Sequence, residues 1–470
     1  MNKQDTSVGK NNRSDINRSS AMGTGGLVAK PDDLELGPPT GSDVTRGLRT
    51  GFAVSLGGLT LLCLIILAIF AEYPTGLGDA HVSQYYHFLT GVLIMVFIGF
   101  GFLMTFLRRY SLSAVGLNFV LSALMMAGSL FCMGWSHQGF GKFEVDLPLL
   151  VDAAFCAASG MISFGAVIGF ASPTQLVWLL AAEVPIYAAN FYLVTHIIGT
   201  FDVGGSITVH AFGAFYGLAA SCFLARSSGS LGANHPKSGS NYTSDLTSMI
   251  GTIFLWVYWP SFNGALASAT GDGPQHQFYV VANTLISLLG ACLATFIVSA
   301  ALNDSLDAVH VQNATLAGGV AIGTSAALRI APAAAFGVGL IAGILSTLGF
   351  SYSTTALQKC LGICDTCGVN NLHGMPGVLG GLVSAVLISI YYTDNAALVG
   401  KSSSSAQAAA QIAGLAAMLG IAIASGLIVG YITSHVRIAK LTKDTWILES
   451  GEEDDLYEDN AIWKGVDKED

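Results

Sequence analysis

"DVGGSITVHAFGAFYG" (residues 202–217) and "DTCGVNNLHGMPGVLG" (residues 365–380) carry one pattern twice: an aspartate, a glycine three residues on, and a histidine eight residues on. Both histidines fall inside glycine-rich apolar runs. An ionisable side chain there is costly and more often lines a path or a site; the alternative is that each imidazole merely bonds a neighbouring helix. At 1.5 Å of rise per residue the aspartate-to-histidine interval covers about 12 Å of helix, and half of a ~30 Å hydrocarbon core is about 15 Å. An aspartate near either membrane face therefore sets its histidine near the midplane.

The rest of the chain supplies the membrane. Of its 470 residues 52% are hydrophobic and 11% charged, and the mean hydropathy is +0.60, far from the composition of a soluble globular domain. Twelve uncharged stretches are long enough to span: 52–71, 88–107, 112–134, 149–170, 176–197, 206–225, 246–267, 279–302, 308–328, 333–352, 365–391 and 409–434. These predict an all-α polytopic membrane protein of twelve transmembrane helices. The polar segment before the first stretch is too long for a signal-peptide n-region and no small-residue cleavage site follows, so that stretch reads as a retained helix.

With the N-terminus inside, Arg46, Arg49, Arg108, Arg109, Arg226, Lys237, Lys359, Arg437, Lys440 and Lys443 flank cytoplasmic helix ends. Only Lys142, Arg329 and Lys401 lie outside, so the basic residues place both termini in the cytoplasm. The chain divides into a cytoplasmic tail over 1–45, a membrane domain over 46–443 and an acidic tail over 444–470. That last tail holds eleven carboxylates and two lysines, a balance of −9 within the net charge of −10, so the membrane body is nearly neutral. It reads as solvated disorder, or else as a regulatory or partner-binding segment. No basic patch suggests nucleic acid.

Cys360, Cys364 and Cys367 cluster at one helix end, but a zinc site would need a fourth ligand, and none is expected. The sequons at Asn12, Asn17, Asn241 and Asn303 fall on the cytoplasmic side and Asn313 lies within a span, which predicts no N-glycan. No soluble-enzyme motif stands out, and no cofactor is expected.

Under this topology helix six runs inward and helix eleven outward, so the two patterns are antiparallel and five spans apart. Two five-helix units of opposite orientation with matched residues at the bilayer centre form an inverted repeat. Pairs of glycines four apart recur, including Gly213 and Gly217 and Gly377 and Gly381, and such pairs let helices pack closely. They predict a narrow pore at mid-depth. Asp202 precedes helix six, where it either caps that helix or attracts a cation. Asn313 and Thr315 are candidates for hydrogen bonds between helices.

"GFGFLMTFLRRYSLSAVGLNFVLSAL" from 99, "DVGGSITVHAFGA" from 202, "SDLTSMIGTIFLWVYWPSFN" from 244, "HVQNATLAGGVAIGT" from 310 and "DTCGVNNLHGMPGVLGGL" from 365 resemble the Rhesus glycoprotein branch of the ammonium transporter family. The resemblance runs over about residues 50–435. It implies a homotrimer with one pore per subunit, lined by the paired histidines His210 and His373, with an outer constriction from Phe155 and Phe262. It places Asp202 beneath the outer vestibule and Asp245 and Asp307 at the cytoplasmic exit. Ala154 stands where the resemblance implies a third exit carboxylate, and residues 72–87 lack the external sequon common in animal members.

The function it implies is conduction of ammonia through the bilayer after ammonium loses its proton, without enzymatic chemistry, in the plasma membrane or an endomembrane compartment. Conduction of carbon dioxide through the same neutral lumen, and an ammonium-sensing or scaffolding role through the acidic tail, are the alternatives. Parallel flux measurements separate the cargos.

Overall fold

A computed structural model describes residues 48–76, 78–227, 239–267, 274–435, 459–464 and 466. The tail over 1–45 and Arg46, Lys237, Arg437, Lys440 and Lys443 lie outside the described residues, as does most of the acidic tail.

Among the described residues ten helices are long and apolar enough to cross a membrane: α1 (Thr50–Phe70), α2 (His81–Phe106), α3 (Ser111–Gln138), α4 (Leu147–Val167), α5 (Pro173–Ile198), α6 (Ser206–Ala225), α8 (His276–Leu302), α10 (Pro332–Leu361), α11 (Asn370–Val399) and α12 (Ser404–Ser434). Tyr242–Gly264 forms α7. The stretch expected as one continuous span over 308–328 is instead a broken helix, α9, made of Ala308–Ala314 and Ala317–Ile322. Together these make the twelve helices of an integral membrane protein.

Local chemistry sets where the helices begin. Asp146 accepts a hydrogen bond from Leu149 N at the start of α4, and Ser172 with Gln175 forms a reciprocal capping pair before α5. Asn241 and Ser244 do the same for α7, and Asp307 caps α9 through Val309 N and His310 N. Each cap satisfies amide donors that the first turn leaves unpaired.

Burial grades from the rim to the centre. Helix α1 is almost wholly exposed, as a lipid-facing helix should be, whereas α4 and α6 are almost wholly buried. Glycines bring these central helices into backbone contact: a Cβ on Gly213 would meet Ser159 O, and one on Gly217 would meet the Ser163 backbone. Between α6 and α11 the contacts descend along one helix as they ascend the other, from Ser206 beside Gly380 to Ala211 beside Gly377 and Ala214 beside Gly374. The two helices carrying the repeated pattern are therefore antiparallel and packed against each other.

Two small elements were not foreseen. Ala71–Glu72 (β1) pairs in parallel with Phe143–Glu144 (β2), held at its edge by Lys142 Nζ donating to Glu72 Oε2 at 2.8 Å. In the acidic tail, Asp459–Ile462 forms a single helical turn, α13. Asp459 accepts from Leu112 N and Ser113 N at 2.7 Å each, and Trp463 Nε1 donates to Ser113 Oγ at 2.9 Å. This segment docks on the start of α3, where a solvated strand of tail was one expectation.

Candidate functional site

The repeated pattern resolves into a local device. Gly205 and Gly368, the glycines three residues after each aspartate, both lie in the left-handed region at φ +67° and +74°. A side chain there costs roughly 1–2 kcal/mol, which accounts for glycine at the third place. The turn lets the preceding aspartate fold back onto the helix start. Asp202 accepts from Ile207 N at 3.1 Å and Thr208 N at 2.7 Å, and Asp365 accepts from Val369 N at 2.8 Å and Asn370 N at 2.9 Å.

Asp202 also takes the hydroxyls of Thr208 at 2.9 Å and Thr324 at 2.6 Å, so both of its oxygens are occupied. Of the two readings for Asp202, the geometry is that of a cap. The opening turns are wide: His210 N bonds back five residues to Gly205 O at 2.9 Å, and His373 sits in a similarly widened turn, Asn370–Gly374. Such turns aim a side chain off the regular helical register and recur at functional sites.

The outcome is contact between the two histidines. His210 Nδ1 and His373 Nδ1 are 3.2 Å apart, so one donates and the other accepts a shared hydrogen. Their rings stack with centroids 5.2 Å apart and planes 10° from parallel. Phe262 lies 5.4 Å from His210, and Phe155 lies 4.5 Å from Phe262. Beyond His373, Phe100 follows at 5.9 Å. Five rings thus make one file: Phe155, Phe262, His210, His373, Phe100.

Trp259 stacks on His210 at 5.6 Å, one turn before Phe262 on the same face of α7. The sequence carried a signal for it, since residues three apart share a helix face. His210 Nε2 is buried without a partner among the described residues.

The file joins two unequal spaces. On the Phe155 side a cavity of about 880 Å³ is lined by His137, Asp152, His196, Asp202 and Lys401 among others. On the Phe100 side a crevice of about 20 Å³ is lined by Leu103, Met161, Asn313 and Leu372. Ala154 belongs to the Phe155 end and not to the far exit, because it adjoins Phe155 on α4 and is fully buried.

Asp245 and Asp307 line neither space. Asp245 accepts from Gln312 Nε2 at 3.2 Å and Ser240 Oγ at 2.9 Å, while Asp307 caps α9. Asn313 and Thr315, expected to bond across helices, donate instead to Val309 O and Val311 O of their own segment.

Residues 75–462 match the model of the Ammonium Transporter Family. The chain is 45% identical to the ammonium transporter Rh type B of Xenopus tropicalis over 405 residues, covering 80% of this chain and 86% of that one. It is 39% identical to the human ammonium transporter Rh type C over 436 residues, covering 86% and 88%. Among solved structures it resembles the Rh50 protein of Nitrosomonas europaea with a TM-score of 0.70 and 32% identity, covering 83% of this chain and 94% of that one. Mep2 of Saccharomyces cerevisiae shares the fold at a TM-score of 0.63 and 19% identity, covering 81% and 94%. The chain belongs to the Rhesus branch of the ammonium transporter family, a family of membrane channels and transporters and not of enzymes.

Proposed function

We propose that this protein, through its membrane domain over 46–443, conducts ammonia across the bilayer after ammonium has lost its proton at the mouth of the pore. The observation that carries this reading is the closed ring file Phe155, Phe262, His210, His373, with His210 Nε2 left unpartnered inside it. An ion entering so dry a passage loses its hydration at a cost of several kcal/mol. Removing the proton removes that cost. The neutral product carries both donors and a lone pair, and a neutral imidazole offers the complementary pair, so His210 and His373 replace part of its lost hydration.

Phe155 and Phe262 form the outer constriction, and the large cavity before them is the outer vestibule, with both termini cytoplasmic. The assembly is a homotrimer in the plasma membrane or an endomembrane, with one such file in each subunit. Asp245 and Asp307 lie at the cytoplasmic mouth, where Asp245 ties Gln312 of α9 to α7 and Asp307 caps α9.

An ammonium gradient imposed on proteoliposomes, read by an internal pH dye, tests this. The wild type should conduct. The double variant His210→Leu, His373→Leu should lose nearly all flux while still assembling, because leucine is apolar and of similar bulk. Wild-type flux in a well-assembled double variant would sink the paired-histidine mechanism.

A further inference from the structure

One wall of the large cavity carries a titratable pair that the ring file does not use. Asp152 lies three residues before Phe155 on α4, so it stands one turn above the first ring of the file on the same helix face. Opposite it on α3, His137 Nε2 is 3.2 Å from Asp152 Oδ2. The side chains are 26% exposed for His137 and 8% for Asp152, so the imidazole meets the cavity and the carboxylate sits behind it.

The ring is held in place from the α5 side. Phe191 meets it edge-on at 5.7 Å, and His196 lies 5.6 Å away with its own Nδ1 2.8 Å from Thr195 Oγ1.

Asp202 faces the same cavity but is saturated by four donors, whereas Asp152 Oδ1 is buried with no partner among the described residues. A carboxylate so placed favours a cation beside its other oxygen. With the carboxylate at Nε2, the neutral imidazole carries its hydrogen there and presents the Nδ1 lone pair on its other side. Carboxylate behind, imidazole in front is the arrangement of an oriented general base.

We propose that His137, positioned by Asp152, is the base that takes the proton from ammonium in the outer vestibule; this rests on the ammonium-transport reading above. One N–H bond of ammonium breaks and its electron pair stays on nitrogen, giving ammonia. An Nδ1–H bond forms on His137, and the Asp152 carboxylate balances the imidazolium. The base resets by releasing that proton to the water of the vestibule, so no net charge crosses with the ammonia.

Other charged groups set the background. Asp146 and Glu144 line the cavity beside α4, His196 faces the pair from α5, and Lys401 lies between α11 and α12. Protonated His196 would oppose a second positive charge on His137, and Asp146 would favour it.

The test is ammonium-driven flux in proteoliposomes at external pH from about 5.5 to about 8.5, the interval in which an imidazole titrates. Wild-type flux should rise with pH through one inflection, as His137 becomes free to accept. In His137→Gln the inflection should vanish and flux at neutral pH should fall by about tenfold or more, at the low end of what a positioned base supplies.

Asp152→Asn keeps a hydrogen-bonding partner of the same shape but removes the charge that favours imidazolium. Its inflection should move to lower pH. A purely structural bracket between α3 and α4 would not move it, and an unshifted wild-type profile in Asp152→Asn, or in a well-assembled His137→Gln, overturns the proposal. A wild-type protein inert to ammonium would instead overturn the transport reading beneath it.

Discussion

The two halves of the repeat build the same turn in different company. In the α6 half, Asp202 holds two amides and two threonine hydroxyls beside a cavity of about 880 Å³. In the α11 half, Asp365 holds amides of its own turn, and the space beyond His373 is only about 20 Å³. What the halves share is the minimum that brings a histidine to the centre: a glycine free to adopt positive φ, a capping carboxylate and a widened first turn. What they do not share is everything that decides how water and ions reach that histidine. Backbone geometry is the repeated element, and solvent access is set by the neighbours.

The sharpest way to break the comparison is to remove the shared backbone device. Gly205→Val and Gly368→Val each impose a β-branched side chain at positive φ, costing roughly 2 kcal/mol or more before any clash. The clashes differ. A Cβ at Gly205 would meet Val209 of its own helix, whereas one at Gly368 would meet the ring of Phe350 on α10. Both variants should lose folded protein in detergent, with Gly368→Val the worse, as read by monodisperse yield and apparent melting midpoint. Equal yields would mean that the halves tolerate strain alike.

The carboxylates come next. Asp202→Asn and Asp365→Asn each replace one acceptor oxygen by a donor, which leaves amides at a buried helix start without their partner at roughly 1–3 kcal/mol. Asp202 serves more donors, two of them on side chains, so its substitution should lower the melting midpoint further. If Asp365→Asn proved the more damaging, the account of Asp202 as the more saturated cap would fail. Thr324→Val narrows the question to a single contact, the 2.6 Å hydrogen bond that ties the turn after α9, Gly323–Ser325, to Asp202, and should cost about 1 kcal/mol. No equivalent hydroxyl serves Asp365 among the described residues, so this variant has no counterpart in the other half.

The pattern itself was legible in sequence because its parts are local: an aspartate, a glycine and a histidine within nine residues define one turn. Span count was legible for the same reason, since a bilayer selects length and hydropathy residue by residue. The break in α9 was not legible, because 308–328 is uncharged and long enough to span, and neither length nor charge reports where a helix is interrupted. The His137–Asp152 pair was missed because its members are fifteen residues apart on different helices, and no spacing rule joins them. Asp245 and Asp307 were expected at the exit from the resemblance alone, and a resemblance carries a position but not its contacts: Asp307 caps α9 and Asp245 bonds Gln312.

A remote aspartate cap sharpens the comparison at its weakest end. Asp459 performs for α3 what Asp202 and Asp365 perform for α6 and α11, accepting two amide donors of a first turn, but it does so from 346 residues away. A local cap forms with its helix, whereas a remote one must also hold a chain segment in place and loses entropy in doing so. Part of the segment's anchoring is apolar, since the Trp463 ring lies over Gly116. Asp459→Ala should therefore leave the membrane helices intact and cost the start of α3 at most about 1 kcal/mol. Its visible consequence should be faster hydrogen exchange at the amides of Leu112 and Ser113 and easier proteolysis of the segment around Trp463. Exchange at the amides of Ile207 and Thr208 should not change. Acceleration at both places would show that the tail turn and the central cap are one cooperative unit, and the distinction between local and remote caps would fail.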